Sequence, residues 1–203
     1  PPPACHDDPQ LVLAMPPFHR CLRALASAGL AALTLLASAC SHSNTRVVVS
    51  VSQQRLGLYK DDQLKARYRV STSKFGLGDR PRSNFTPLGR LVIAHKVGGG
   101  QPSGMKFKSR RPTGEIVRPN SPGRDPIVTR ILWLRGTEPQ NRNTFRRFIY
   151  IHGTPEEYKL GRPASYGCVR MSSRDVIALY DAVPRGTRVD IVRGPLPSAQ
   201  NLP

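Results

Sequence analysis

One cysteine and one histidine carry the chemistry that this sequence indicates most directly. Cys168 follows Gly167 and precedes a predicted helix start, so we expect its sulfur to lie on a turn. His152 lies sixteen positions upstream, at the end of a predicted strand, and Gly153 follows it. A histidine can take the proton of a thiol and later return it to a leaving amine. The pair therefore predicts acyl transfer through a thioester, with main-chain N–H groups of the turn available to an oxyanion.

Other uses of these residues are less well supported. A tetrahedral metal site needs about four ligands, and no visible cluster would complete one cysteine and one histidine, so no metal is expected. Cys168 could also be a small buried hydrophobe. That interpretation fits poorly, because the cysteine lies between Gly167 and the cationic Arg170. His95 ends another predicted strand and is interpreted as a structural histidine.

The N-terminal region predicts export from the cytoplasm. Residues 1–14 are interpreted as an upstream or mis-started segment and residues 15–39 as a signal peptide of the lipoprotein type. Its uncharged run is short for a membrane-spanning helix. The run ends in Ala-Ser-Ala directly before Cys40, which resembles a lipobox whose cysteine is diacylated. An ordinary signal peptide with a chance cysteine is the alternative, and membrane fractionation of a Cys40→Ser variant distinguishes the two.

The count of cysteines then points to a reactive thiol. Cys5 and Cys21 lie in the predicted leader, and Cys40 would carry the lipid. Cys168 is left without a disulfide partner in an exported protein, where spare thiols tend to be oxidised. An unpaired cysteine in that setting is typical of a nucleophile.

The net charge of the chain indicates which kinds of partner it can bind. The formal net charge is +18, from 31 Lys and Arg residues against 13 Asp and Glu residues. Such a field favours an acidic polymer, an anionic membrane surface or a nucleic acid. The basic residues are scattered in ones and twos and no nucleic-acid motif accompanies them, so no nucleic-acid partner is expected. A lipid anchor at Cys40 would instead make the membrane a partner.

Hydrophobic alternation predicts a mostly β domain over residues 46–193. Strands are predicted over residues 46–52, 54–59, 64–71, 90–95, 131–135, 147–152 and 187–192. The stretch 98–129, dense in proline and glycine, is expected to be a long ordered loop. The last-but-one strand should place Tyr150 and His152 on the same face.

One helix is predicted after the cysteine motif. Ser172 begins a capping sequence, and the helix should run to about Ala182. Its buried face is predicted to hold Val176, Leu179, Tyr180 and Val183. Residues 40–45 are interpreted as a tether and residues 194–203 as a flexible tail.

The hexapeptide Ser-Tyr-Gly-Cys-Val-Arg at residues 165–170, with His152 upstream, resembles the catalytic motif of L,D-transpeptidases of the YkuD type. The resemblance covers about residues 46–193 and includes the Thr-Pro-Leu-Gly run at residues 86–89. It implies a YkuD-like β-sandwich with one or two short helices and the catalytic cysteine in a groove. It also implies that Cys168 is the nucleophile and His152 its general base and acid.

The same resemblance assigns roles around these two residues. The main-chain carbonyl of Gly153 would orient the histidine, and the main-chain N–H groups of Tyr166, Gly167 and Cys168 would be the oxyanion donors. Ser165, Tyr166 and Arg170 would bind the substrate, with a structural ion pair as the alternative for Arg170. Tyr166 departs from the histidine or arginine usual in the family, so its side chain is expected to affect specificity.

The activity implied by the resemblance is acyl transfer from peptidoglycan peptide stems. Cys168 would attack the carbonyl at the L-centre of a diaminopimelate-type residue and release D-alanine. An amine of another stem, giving a 3→3 cross-link, or of a protein would accept the acyl group. Hydrolysis of stem peptides or of lipoprotein–peptidoglycan links is an alternative, and a non-catalytic wall-binding lipoprotein is one from another class. The implied location is the periplasm or cell envelope, and no cofactor is needed.

Overall fold

Ten β-strands and one α-helix make up the part of the chain that the structure, a computed structural model, describes: residues 44–123 and 125–198. The strands are β1 Thr45–Ser50, β2 Arg55–Lys60, β3 Gln63–Arg69, β4 Gly89–Val97, β5 Met105–Lys108, β6 Arg111–Ile116, β7 Ile127–Gly136, β8 Tyr150–Gly153, β9 Val169–Met171 and β10 Arg188–Val192. The helix, α1, spans Ser173–Ala182, and short 3-10 turns lie at Pro139–Asn141 and Glu157–Lys159. The prediction of a mostly β fold is confirmed.

The ten strands belong to one hydrogen-bonded sheet. Its order is β3-β2-β1-β10-β4-β7-β5-β6, and a branch runs from β7 through β8 to β9. β1 is parallel to β10 and β8 is parallel to β9, whereas the other pairs are antiparallel. Ser71, just after β3, forms an isolated antiparallel bridge with Arg170 of β9, so the sheet closes on itself. The layers expected of a sandwich are therefore parts of one curved sheet.

Side chains alternate along the strands between the main core and the opposite face, against which Cys168 packs. The main core combines one face of the strands with α1, and it includes fully buried Leu132, Ile151 and Met171. Burying each such side chain stabilises the fold by about 1.5–3 kcal/mol. On the other face of β7 and β8, a second cluster holds Met105, Phe107, Ile131 and Tyr150, and Cys168 packs against it.

Helix α1 begins where the sequence predicts. Ser172 Oγ accepts the main-chain N–H of Asp175 at 3.0 Å and caps the first turn. Val176 and Leu179 are fully buried, while Tyr180 is half-buried. Because β9 ends at Met171, the capped helix directly follows the strand that carries the cysteine motif.

A β-hairpin occupies the centre of the stretch 98–129, so the expectation of a long loop is wrong there. β5 and β6 pair around Ser109 and Arg110, whose φ angles of 50° and 65° give a tight turn. Met105 and Phe107 are buried and alternate with lysines, as a half-buried strand requires. A proline and a glycine in β6 obscure this strand in the sequence, but an edge strand tolerates them.

Strand β8 begins at Tyr150 rather than at residue 147. Phe148 has a φ of 56° and is 49% exposed, so the chain is not extended there. Ile149 and Ile151 belong to the main core, whereas Tyr150 belongs to the second cluster. His152 lies two residues beyond Tyr150 and therefore on the same face of the strand.

Part of the segment after β10 is packed, which corrects the expectation of a flexible tail from residue 194. Leu196 is buried, and the Tyr59 hydroxyl donates to the carbonyl of Pro197 at 2.9 Å.

The predicted signal peptide and Cys40 lie outside the described residues, so the lipoprotein assignment stays a prediction. Within residues 44–123 and 125–198, no helix is long and apolar enough to cross a membrane.

Candidate active site

The cysteine motif forms a turn held by two hydroxyl groups. Ser165 Oγ accepts the N–H of Gly167 at 3.2 Å and donates to the carbonyl of Cys168 at 2.6 Å. Thr86 Oγ1 donates to the Gly167 carbonyl at 3.0 Å. Gly167 has a φ of 116°, and a Cβ there would lie 3.2 Å from the Phe85 carbonyl oxygen. The turn therefore requires glycine at this position.

A buried ion pair fixes the loop that packs against this turn. Arg147 Nη1 lies 2.7 Å from Asp79 Oδ1, and both side chains are buried. The guanidinium also donates to the carbonyl of Phe85 at 2.6 Å. Phe85 and Thr86 contact Gly167, so Arg147 positions the cysteine turn through this loop. No local pattern indicates this pair, because its members are 68 positions apart in the chain.

The Cys168 thiol is half-buried and un-ionised at neutral pH. Its Sγ accepts the N–H of Tyr150 at 3.4 Å, and its S–H donates to the Phe148 carbonyl at 3.6 Å. Burial raises the pKa of the thiol to about 11, although the Tyr150 N–H and the charge of Arg147 act to lower it. Such a thiol needs a base to become a nucleophile.

His152 supplies a base that is held in one tautomer. Its Nδ1 lies 2.9 Å from the carbonyl oxygen of Gly153. Because that oxygen only accepts, Nδ1 carries the hydrogen and Nε2 keeps its lone pair. His152 is buried, and burial lowers its pKa below the ordinary value of 6.5, partly offset by the Gly153 hydrogen bond. The contact that the resemblance assigns to the Gly153 carbonyl is thus present, and the imidazole is neutral at physiological pH.

The pairing of β8 with β9 brings the segments that carry His152 and Cys168 side by side. The strands run parallel, with His152 opposite Arg170, and Cys168 lies just before β9. Among the described residues, no hydrogen bond joins the imidazole to Sγ. The S–H points to the Phe148 carbonyl, so it must rotate before its proton can reach Nε2.

No metal centre is built into the described part of the chain. Over residues 44–123 and 125–198, no group of three or more His, Cys, Asp or Glu side chains is placed to hold a metal ion.

Arg170 lies in a buried ion-pair network, in accordance with the alternative given for it. Its side chain is 2% exposed and binds the carboxylate of Asp125 and Glu156 Oε2, the latter at 2.9 Å. Asp125 also accepts the Thr154 hydroxyl. Burial raises the pKa of Glu156, but hydrogen bonds from Lys159 and Arg170 outweigh it, so the net shift is downward. Direct contact with substrate would require an exposure that the Arg170 side chain lacks.

We expect Arg170→Met to lower the free energy of unfolding by about 3 kcal/mol, since it leaves the Asp125 carboxylate without its cation and Glu156 with Lys159 alone. Urea unfolding at pH 7 measures this loss. Because the pKa of Glu156 is lowered, the stabilisation is present above the ordinary value of 4.5 and is lost as the pH falls below it. Adding Asp125→Asn and Glu156→Gln removes the stranded charges and should recover most of the loss. A loss under about 0.5 kcal/mol in the single variant contradicts the assignment.

The hydrogen bonds of the turn revise two expected roles. The N–H of Gly167 already donates to Ser165 Oγ, so this group is not free to bind an oxyanion. Among the described residues, no side-chain oxygen accepts the N–H of Tyr166 or Cys168, which therefore stay candidate donors. Ser165 is 2% exposed, so its hydroxyl serves the turn rather than a substrate.

The Tyr166 side chain is the part of the motif that projects outward. It is 63% exposed, and its ring centre lies 5.2 Å from that of Phe75. Lys74 Nζ lies 4.7 Å from the centre of the tyrosine ring. This exposed group, two positions before Cys168, is placed to contact a ligand.

A cluster of aromatic side chains, which was not predicted from the sequence, packs near the Cys168 thiol. Trp133 stacks on Phe145 with ring centres 4.1 Å apart, and it contacts Phe148 and Tyr150 at 5.6 Å and 5.8 Å. His95 packs on Trp133 at 5.5 Å, which agrees with a structural histidine. The available signal was the lone tryptophan of β7 together with the three aromatic residues between positions 145 and 150.

The fold and the site together define a mostly β protein with a cysteine–histidine centre. Comparison with known proteins then gives the family: residues 44–191 match the L,D-transpeptidase catalytic domain, YkuD, and the chain belongs to this family.

Similar proteins carry the same assignment in their names. The YkuD protein of Bacillus licheniformis is 27% identical over 146 residues, which are 72% of this chain and 64% of that protein. The YkuD protein of Bacillus subtilis is 37% identical over 91 residues, 43% of this chain and 49% of that protein. A solved L,D-transpeptidase from Xylanimonas cellulosilytica is 21% identical, covers 80% of this chain and 68% of its own, and has a TM-score of 0.47. The chain thus spans about half to two thirds of the two Bacillus proteins.

Proposed function

We propose that this protein is a peptidoglycan L,D-transpeptidase that works through a thioester on Cys168. The observation that carries the proposal is a neutral, buried histidine whose Nδ1 is bonded to the Gly153 carbonyl and whose strand pairs with the strand that Cys168 directly precedes. Membership of the YkuD family supports peptide stems as the substrate class. The net charge of +18 suits the anionic cell wall.

Acylation begins when the S–H of Cys168 turns from the Phe148 carbonyl to Nε2 of His152. The imidazole takes the proton as Sγ attacks the carbonyl carbon at the L-centre of the third stem residue. Main-chain N–H groups of Tyr166 and Cys168 stabilise the oxyanion that forms. The C–N bond then breaks, the imidazolium protonates the amine, and D-alanine leaves behind a thioester.

Deacylation uses the same histidine, which now takes a proton from the acceptor amine and returns it to the sulfur. An acceptor amine attacks the thioester carbonyl and loses a proton to Nε2 of His152, and the Cys168 sulfur leaves as the new amide forms. The sulfur then recovers the proton from the imidazolium. The Gly153 carbonyl stabilises each imidazolium because it accepts the hydrogen on Nδ1 throughout.

The proposal is tested by incubating the purified protein with a disaccharide-tetrapeptide that ends in D-alanine. We expect stoichiometric release of D-alanine and the appearance of 3→3 cross-linked dimers, measured by chromatography and mass spectrometry. Tripeptides without dimers would make the protein a hydrolase that uses the same thioester. No release of D-alanine from a folded protein with a titratable thiol would overturn the proposal and favour a non-catalytic wall-binding role.

A further inference from the structure

We propose that Arg110, at the tip of the β5–β6 hairpin, recognises a carboxylate of the donor stem peptide. This inference rests on the proposed function and assigns to Arg110 a specificity role in the same reaction. Nothing in the cysteine motif itself points to Arg110, which is 58 positions upstream of Cys168.

The guanidinium of Arg110 lies over the aromatic cluster that borders the thiol. Its central carbon is 4.7 Å from the ring centre of Trp133 and 5.0 Å from that of Phe148. Nη1 donates to the Tyr150 hydroxyl at 3.3 Å. Contact with two aromatic rings orients the planar cation, and among the described residues only the Tyr150 hydroxyl accepts one of its N–H groups.

The residues that Arg110 contacts are those that hold the nucleophile. Tyr150 gives its main-chain N–H to the Cys168 sulfur, and Phe148 gives its carbonyl to the S–H. Their side chains meet the guanidinium. A group bound by Arg110 is therefore one side chain away from the reacting atoms.

Arg110 lacks the carboxylate partner that two other arginines near the cysteine turn have. Arg147 pairs with Asp79, and Arg170 pairs with two carboxylates. In the part of the chain that the structure describes, no carboxylate lies within ion-pair distance of Arg110, although its side chain is partly buried. A guanidinium has five N–H donors in a planar fork that matches a carboxylate. The hydrogen bond to Tyr150 uses one of them.

The backbone of the hairpin turn is strained, as is common in segments that position functional side chains. Ser109 and Arg110 both have positive φ angles, 50° and 65°, although neither is glycine. Such a conformation destabilises a residue that has a side chain unless its surroundings hold it in place. The contacts with Trp133 and Phe148 supply that support, and the turn directs Arg110 towards the thiol side of β7 and β8.

The donor stem offers two carboxylates for this cation. One is on the side chain of the diaminopimelate-type residue that is attacked, and the other is the C-terminus of the departing D-alanine. Both are close to the scissile bond, and both would form the same charge-assisted pair with Arg110. Amidation of one carboxylate at a time identifies the one that is bound.

The test measures kcat/KM for release of the terminal residue, D-alanine or D-alaninamide, with the free acid and with each of the two amidated stems. For the wild-type protein, kcat/KM should be about 10- to 100-fold lower on one amide than on the free acid, the size expected for a charged hydrogen bond. For Arg110→Gln, kcat/KM on the free acid should fall by the same factor, so that this variant no longer distinguishes the acid from that amide. Arg110→Lys should recover part of the loss. Lys108→Gln removes a charge from the same hairpin at an exposed position and should behave like the wild type.

The outcomes separate this proposal from the proposed function. If Arg110→Gln loses activity equally on the acid and on both amides, the side chain only supports the hairpin and the proposal is wrong. If it discriminates as the wild type does, Arg110 has no role in recognition. If the wild type releases no D-alanine from any stem, the proposed function itself fails, and the recognition role fails with it.

Discussion

Replacing Cys168 by alanine is expected to reduce D-alanine release by about 10⁴-fold or more, because no second nucleophile can take over the attack. The thiol contributes little to the fold, since its hydrogen bonds are two weak ones with main-chain groups. The free energy of unfolding should therefore change by about 1 kcal/mol or less. Rates of D-alanine release and urea unfolding curves of the same preparations check both statements.

Cys168→Ser provides the matched control, because it keeps the size and hydrogen-bonding capacity of the side chain but not the reactivity of sulfur. We expect it to fold like the wild type and to be inactive on stems. Activity of Cys168→Ala within tenfold of the wild type would move the nucleophile to another residue.

Replacing His152 by alanine is expected to lower kcat/KM by about 10²- to 10⁴-fold, the usual contribution of a general base. The effect should lie towards the upper end, because the pKa of the thiol is about 11 and few thiolates form at neutral pH without the imidazole. His95→Gln is the matched control, since His95 is exposed and packs on Trp133. A loss below about fivefold in His152→Ala would remove the histidine from the mechanism.

The dependence of kcat/KM on pH should show the titration of His152 and Cys168. Activity requires one proton shared between thiol and imidazole, so kcat/KM rises as His152 loses its proton and falls as Cys168 ionises. Because burial lowers the pKa of His152 below 6.5 and raises that of Cys168 to about 11, the plateau should extend from below pH 6.5 to well above pH 9. An acid limb with an apparent pKa at or above 7 would contradict the neutral imidazole of the resting site.

Local sequence patterns were enough to predict the parts of the site that are built from neighbouring residues. The capping serine at Ser172 fixes the helix start, and period-two alternation places His152 on the same face as Tyr150. Gly167 marks the turn because only glycine adopts its conformation beside the Phe85 carbonyl. Each of these features depends on contacts or conformations that a few adjacent residues determine.

Features that depend on distant partners could not be predicted in this way. Asp125 and Glu156 pair with Arg170 from 45 and 14 positions away, and the Arg170 side chain is buried in this network. The hairpin that carries Arg110 was hidden because its edge strand contains proline and glycine. The hydrogen bond from the Gly167 N–H to Ser165 depends on side-chain orientation, which no spacing rule specifies.

The most direct test of the central claim is the intact mass of the protein after brief incubation with a tetrapeptide stem, quenched in acid without an acceptor. The thioester account predicts one added acyl group, equal to the stem minus D-alanine, that peptide mapping places on Cys168 and that is missing from Cys168→Ala. Release of D-alanine with no adduct at the shortest times, or an adduct on another residue, would contradict a thioester on Cys168.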